Sequence, residues 1–564
     1  MKKKLTIQEV FNLAIQNHKN NNFKTAADFY MEVLKTQPNH TDAINQLAAL
    51  LGDPRLDHIM QIDRATVKKL LLLLFRRNDV DHKDIFLITR LLLFKEKNHS
   101  YNQIKQTVIS DSFLLKNQFI QNLISEELFH LMLQKSLIAD SFLEQILIKI
   151  RYEILFALVS KNQKILTNHF NFIISLAEQC FLNEYIYFQQ TKENDYIVKL
   201  KNWIINKKEI NELEIVILGC YIPLYSLKSI ANKLLKYKST NILFNDLINM
   251  QIKEPLKEKE LVNSIKLFGE ISDDVSKKVM DQYEKNPYPR WRYTYVSMPT
   301  NFLTIINALI SPNKIETNNK FDNPNVLIAG CGTGRQILIA KNYLSANILA
   351  VDLSLASLAY AKRKIEELDL KNIEFLQADI LQLGKLNKKF DVIECAGVLH
   401  HMHDPLKGLK VLLELLEPHG VLRLGLYSEL ARQDIVKVRE YIKKNKYKNI
   451  INDIRNCRKT IIEDKKNKLL QRVIYRRDFY STSAVKDLMF HIQEHRFTLK
   501  QISKISKNFN LEFLGFTDQA LKNKFSTIFS NDKNNVSLDN WDQFEKNNPD
   551  VFTGMYDFLV RKIK

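Results

Sequence analysis

The sequence predicts two halves of different architecture, an all-α array followed by an α/β domain built on a parallel sheet. Three observations predict it. Glycine and proline punctuation is nearly absent early: only Gly52, Gly219 and Gly269 precede residue 330, and the other ten of 13 glycines follow. A short apolar run at 326–329 leads into a glycine loop, and a second such run at 348–351 ends in an acid, Asp352. Finally, the charge is uneven. The 564-residue chain carries 83 Lys+Arg against 63 Asp+Glu, and residues 432–478 alone hold 16 Lys/Arg against 6 Asp/Glu, half of the net +20. The length predicts several domains, and 45% hydrophobic residues exclude a disordered chain.

The five cysteines are odd in number and widely spaced, with no CxxC or CxxH pairing, so neither a disulfide framework nor a structural zinc site is expected. Met1-Lys2-Lys3-Lys4 is basic, but no apolar stretch of signal-peptide type follows. The greasiest run, 70–75, is far below the roughly 20 residues that a membrane crossing needs. The expectation is a cytoplasmic protein without a membrane partner.

In residues 1–50, Leu13 and Ala14 are followed by Ala26, Tyr30, Val33 and Pro38, then by Ile44, Leu47 and Ala48. Small residues at Ala14 and Ala26 let antiparallel helices approach, and Pro38 would start the next helix after a turn. This spacing resembles the tetratricopeptide repeat, with its period of about 34 residues; an ordinary helical hairpin fits the same residues. Residues 51–270 keep the helical period without the repeat signature and read as a degenerate helical array. His18, His40, His58, His82, His99, His130 and His169 are scattered singly through this half, without ligand spacing. An array of this kind offers a groove for a peptide or protein.

Residues 271–300 form a linker or lid. Gln282-Tyr-Glu-Lys-Asn-Pro-Tyr-Pro-Arg-Trp-Arg-Tyr293 has two prolines that fix an extended path. Tyr283 and Tyr288 are candidates to close over a bound ligand, with Arg290 and Trp291 beside them.

Residues 301–564 carry the second architecture. The loop Gly330-Cys331-Gly332-Thr333-Gly334 follows a buried strand, and Asp352 lies at the end of the next, where an acid accepts ribose hydroxyls. The glycines run Gly-x-Gly-x-Gly, not the Gly-x-Gly-x-x-Gly of nicotinamide sites. A third strand leads to Asp379 and Ile380, a fourth to Gly397-Val398-Leu-His400-His401-Met-His403, and a fifth follows a turn at 415–420. This succession resembles the class I methyltransferases that use S-adenosylmethionine (SAM). The resemblance implies a Rossmann-like, seven-stranded sheet with a helical cap inserted at about 428–499. It also implies a cofactor site of Gly330, Cys331, Gly332, Thr333, Gly334, Asp352, Leu353, Asp379, Ile380, Gly397 and Val398. The position of Ile328, often acidic in the family, is aliphatic here.

His401, then His400, is the candidate catalytic residue, a general base at the exit of the fourth strand where the family often keeps a histidine near the acceptor. In the cap, the string His491-x-x-Glu494-His495 would place its residues on one helix face over the acceptor. It also fits a zinc-protease pattern, but the fold gives that pattern no context, and no metal is expected. The whole layout resembles bacterial fusions of tetratricopeptide-like helices to a class I methyltransferase. The function expected is a SAM-dependent methyltransferase whose protein or peptide acceptor is docked by the helical half. The alternatives are an RNA methyltransferase using the basic insertion, which lacks the Asn/Asp-Pro-Pro-Tyr motif of amino-directed nucleic-acid enzymes, and a non-catalytic scaffold.

Overall fold

The computed structural model describes residues 5–53, 62–94, 113–160, 164–207, 209–317 and 321–563. Met1 to Lys4, His58 and His99 lie outside these. Helices Ile7–Lys19, Phe23–Thr36 and Thr41–Leu51 open the chain. Thr6 caps the first, its hydroxyl accepting from Glu9 N while the Glu9 carboxylate returns to Thr6 N. Ala14, Ala26 and Tyr30 are fully buried. Helices continue to Leu261, and no helix among the described residues is long and apolar enough to cross a membrane.

The sheet has eight strands rather than the seven expected: β1 (Lys266–Leu267), β2 (Asn325–Ala329), β3 (Asn347–Asp352), β4 (Ile373–Gln377), β5 (Phe390–Ala396), β6 (Leu416–Leu426), β7 (Leu511–Phe516) and β8 (Tyr556–Lys562). Their order is β1-β4-β3-β2-β5-β6-β8-β7. The first six are parallel, while β8 runs antiparallel to both β6 and β7. The extra strand is a two-residue edge pair, too short and too exposed to leave a period in the sequence. The turn expected at 415–420 is instead part of β6. Phe390 pairs with Leu416 and Val392 with Val421, so residues 417–420, including Pro418, bulge out between paired positions.

Topology places the site. From β2 the chain moves outward to β3 and β4, then crosses back to β5 on the other side, so a crevice opens above the carboxyl ends of β2 and β5. Gly330, Asp352, Asp379 and Gly397 follow or end those strands. One apolar layer covers each face of the sheet.

The insertion belongs, by its packing, with the helical half. Ile435, Val438, Ile454, Cys457, Ile461, Val473, Phe479 and Leu488 share one continuous core with residues from Val10 to Ile252. Arg458 forms a two-pronged pair with Glu144 at 2.7 and 2.9 Å, both side chains nearly inaccessible, and Arg455 donates to Gln189 Oε1 at 2.7 Å. The basic stretch therefore divides by residue type. Its nine lysines are exposed, whereas six of its seven arginines are buried or half-buried. Arginine suits that role because its planar fork matches a carboxylate in two bonds.

Candidate functional site

The glycine loop is shaped by contacts that a side chain would break. Gly330, Gly332 and Gly334 all have positive φ (82°, 50° and 93°). A Cβ on Gly330 would meet Val398 Cγ2 at 2.4 Å, and one on Gly332 would meet the Tyr288 carbonyl oxygen at 2.9 Å. The backbone thus approaches both the fourth-strand loop and the 282–293 strap, as close approach by glycine permits.

The strap is bolted behind the loop. Trp291 Nε1 donates to Thr333 O at 3.0 Å, the Thr333 hydroxyl donates to Pro289 O, and Trp291 N donates to the Tyr360 hydroxyl at 3.2 Å. Glu284 accepts from the amides of Leu355 and Ala356, at the start of the helix that follows Asp352. Arg335, next after the loop, pairs with Asp81 of the helical half at 2.6 Å. Trp291 and Arg290, expected over a ligand, are elsewhere: Trp291 is a buried prop under the loop, and Arg290 pairs with Glu184 at 3.0 Å.

A cavity of about 290 Å³ lies above the carboxyl ends of the strands. Gly330, Cys331, Gly332, Asp352, Leu353, Asp379, Ile380, Gly397 and Val398 line it, as do Tyr283, Tyr288 and His401. Thr333 and Gly334 shape the loop from behind. The residues fit SAM. The Asp352 carboxylate accepts from Gly332 N at 2.8 Å and Ser354 N at 2.9 Å, one bond per oxygen, so each oxygen keeps a lone pair for a ribose hydroxyl. Burial, only partly offset by those amides, pushes its carboxyl up to about 6. Asp379 caps the turn at 380–386 through Leu381 N. Gln336 and Arg335 also line the cavity, and Gln336 Nε2 donates to Ala396 O at 2.7 Å.

The far end of the cavity is a polar, aromatic chamber in which the expected Tyr283, Tyr288 and His401 meet two residues that the sequence did not point to. Asp487 and Tyr427 line it. Asp487 is fully buried and accepts from the Tyr283 hydroxyl at 2.5 Å; burial raises its carboxyl pKa. Tyr288 donates to Asp478 at 3.2 Å. His401 Nδ1 bonds the Gln493 carbonyl at 2.8 Å, so Nδ1 carries the proton and Nε2 keeps a lone pair. Burial lowers the His401 pKa to about 3, which leaves the ring neutral. His400 does not reach the cavity. It stacks on Tyr427 with centroids 3.8 Å apart and braces His401 from behind.

The expected His-x-x-Glu-His helix face is corrected by the structure. The helix Thr482–Met489 stops before it, and 490–497 run without helix. Tertiary bonds override helix propensity there: His495 N donates to His400 O, Phe497 N to Tyr427 O, and Glu494 is drawn into a buried pair with Arg432 at 2.6 Å. Glu494 is thus a structural anchor, and His495 bonds the Met402 carbonyl. Only His491 reaches the chamber's edge, stacked on His401 at 3.7 Å.

One nitrogen each of His401 and His491 and an oxygen of Asp487 lie within 4.8 Å of one another. Two features oppose a metal. The imidazole planes are 25° from parallel, so their lone pairs do not converge. His491 Nδ1 accepts from Gln493 N at 3.2 Å, which puts the proton on Nε2.

Sequence reasoning missed Asp487, Tyr427, Asp478 and Arg335. Only Arg335 carried a signal, its place directly after the third glycine.

Comparisons with known proteins agree with the sheet half. Residues 320–477 match the methyltransferase-domain family. An uncharacterised protein of Synechococcus is 26% identical over 276 residues, which is 45% of this chain and 62% of that protein. A ubiquinone biosynthesis O-methyltransferase of Actinobacillus pleuropneumoniae is 28% identical over 155 residues, 27% of this chain and 64% of the enzyme. The chain spans less than two thirds of each of these curated relatives. Among solved structures, PKMT2 from Rickettsia typhi aligns at 21% identity and a TM-score of 0.36, covering 48% of this chain and 54% of that one. The similarity to methyltransferase domains falls within residues 320–477, in the sheet half of this chain.

Proposed function

We propose that the protein is a SAM-dependent methyltransferase acting in the cytoplasm on an amine-bearing side chain of a protein or peptide, docked by the tetratricopeptide-like helical half. The observation that carries this reading is one continuous cavity. Its near end has the glycine loop, Asp352 and Asp379, and its far end has a buried carboxylate and a neutral imidazole. Five free, buried cysteines fit a reducing compartment.

SAM, when bound, supplies an already activated methyl group, so the residues need only position the acceptor, exclude water and manage its proton. One carboxylate, Asp487, held by the Tyr283 hydroxyl, favours a cationic acceptor group. An ammonium must lose a proton before its nitrogen lone pair can attack. Asp487 takes that proton, because burial moves its carboxyl toward neutrality, whereas His401, at about 3, is too weak a base. His401 Nε2 accepts a hydrogen bond from the remaining N–H and aims the lone pair.

The test is transfer of radiolabel from SAM into matching cell extract, followed by protease or nuclease. Label that survives nuclease but not protease supports the reading. Label lost to nuclease favours RNA as the acceptor, and failure to bind SAM at all leaves only the scaffold reading.

A further inference from the structure

A second cavity of about 320 Å³ lies on the other side of Tyr288 and Pro289. Tyr288, Pro289 and Arg335 line both cavities, so the strap is a shared wall between the donor pocket and this chamber. The helical half, the strap and the insertion all contribute to the second one.

Its charges do not balance. Arg335 pairs with Asp81, Arg290 with Glu184, Arg292 with Glu254, and Arg363 with Glu254 and Glu258. Asp478 accepts from the Tyr288 hydroxyl and, with Asp81 and Asp84, attracts Arg477 without pairing with it. Two cations remain. Lys135 donates only to the Arg77 carbonyl and the Asn78 side chain, and Arg477 makes no hydrogen bond among the described residues. Neither has a carboxylate within 4 Å among those residues, and burial lowers the pKa of both. Both side chains are half-buried, and Lys135 also lies 4.3 Å over the Tyr293 ring, so neither is bound to a carboxylate and an anion in the adjoining space would supply one.

We propose that this chamber binds a carboxylate side chain of the acceptor peptide, an Asp or Glu that flanks the methylated residue, through Arg477 and Lys135. The inference rests on the protein-or-peptide reading above and narrows it to acceptors with an acidic neighbour. A nucleic-acid phosphate fits less well. The volume suits one side chain rather than a strand, and the four acids on its walls (Asp81, Glu254, Glu258 and Asp478) oppose the several charges of a polyanion more than a single carboxylate.

The experiment uses the full chain, radiolabelled SAM and two synthetic peptide libraries with a central lysine. One library carries Asp or Glu at the flanking positions, and the other carries Asn or Gln. The acidic library is expected to be labelled at least tenfold faster. Arg477→Gln combined with Lys135→Gln is expected to erase that preference while SAM affinity holds and Tm does not fall. Equal labelling of the libraries, or a preference that survives both substitutions, overturns the inference and leaves the peptide reading standing. If SAM binds but neither library is labelled, the peptide reading falls and this inference with it. Labelling of an RNA oligonucleotide in place of the peptides overturns both.

Discussion

The two ends of one cavity are built in opposite ways. The donor end is local: a glycine loop and two acids, each at the end of a strand, set in place by the order of the sheet. The acceptor end is assembled from distant segments, with Tyr283 on the helix Asp274–Lys285 that runs into the strap, His401 after β5, Tyr427 after β6 and Asp487 in the insertion. The extended path expected from residue 282 begins only after Lys285. The lesson concerns where information sits. A backbone-shaped site leaves a spaced motif, whereas a site made by packing leaves single residues without a period. Substitutions at the two ends should therefore fail differently, in donor binding at one and in turnover at the other.

The largest effect is expected at the acceptor end. Asp487→Asn should lower kcat by about 10²- to 10⁴-fold, the range for a lost general base, with SAM affinity unchanged by calorimetry. An equal loss of SAM affinity would move Asp487 to the donor side. His401→Gln should cost less, because the amide still accepts a hydrogen bond. Stability is most exposed where the insertion meets the helical half. Glu144→Ala strands Arg458 in the shared core and should destabilise by about 3–5 kcal/mol in denaturant unfolding.

The donor end predicts smaller but cleaner changes. Gly332→Ala sets a methyl against the Tyr288 carbonyl at a positive φ and should cost about 1–3 kcal/mol in SAM binding or stability. The pH dependence follows from Asp352. Its carboxyl titrates at about 6 in the donor-free protein, and ribose hydroxyls favour the charged form. SAM affinity should thus be flat above pH 6 and fall below it, by up to about tenfold per pH unit. A flat profile from pH 5 to 8 would contradict the assignment.

The same contrast explains what could be read from the sequence. The five central strands, the glycine loop, Asp352 and Asp379 were legible because strand, turn and acid recur at fixed separations. The edge pair β1 was too short to show, and the 417–420 bulge looked like a turn because proline and glycine sit in it. The segment after Met489 looked helical by spacing, yet backbone bonds to the His400 and Tyr427 carbonyls hold it open. Charge misled in one respect. Residues 432–478 read as a uniform basic patch, but most of the arginines face inward to Glu144, Asp434 and Glu494, which are far away in sequence or unremarkable in pattern.

The central claim is that the cavity above the parallel strands is a SAM site whose far end holds the acceptor. Titration calorimetry of SAM into the full chain and into Asp352→Ala tests it most directly. The account predicts one site on the full chain and an affinity at least about tenfold weaker in the variant, the loss of charge-assisted hydrogen bonds worth about 1.5–3 kcal/mol. No binding to the full chain, or equal binding to both proteins, would contradict it.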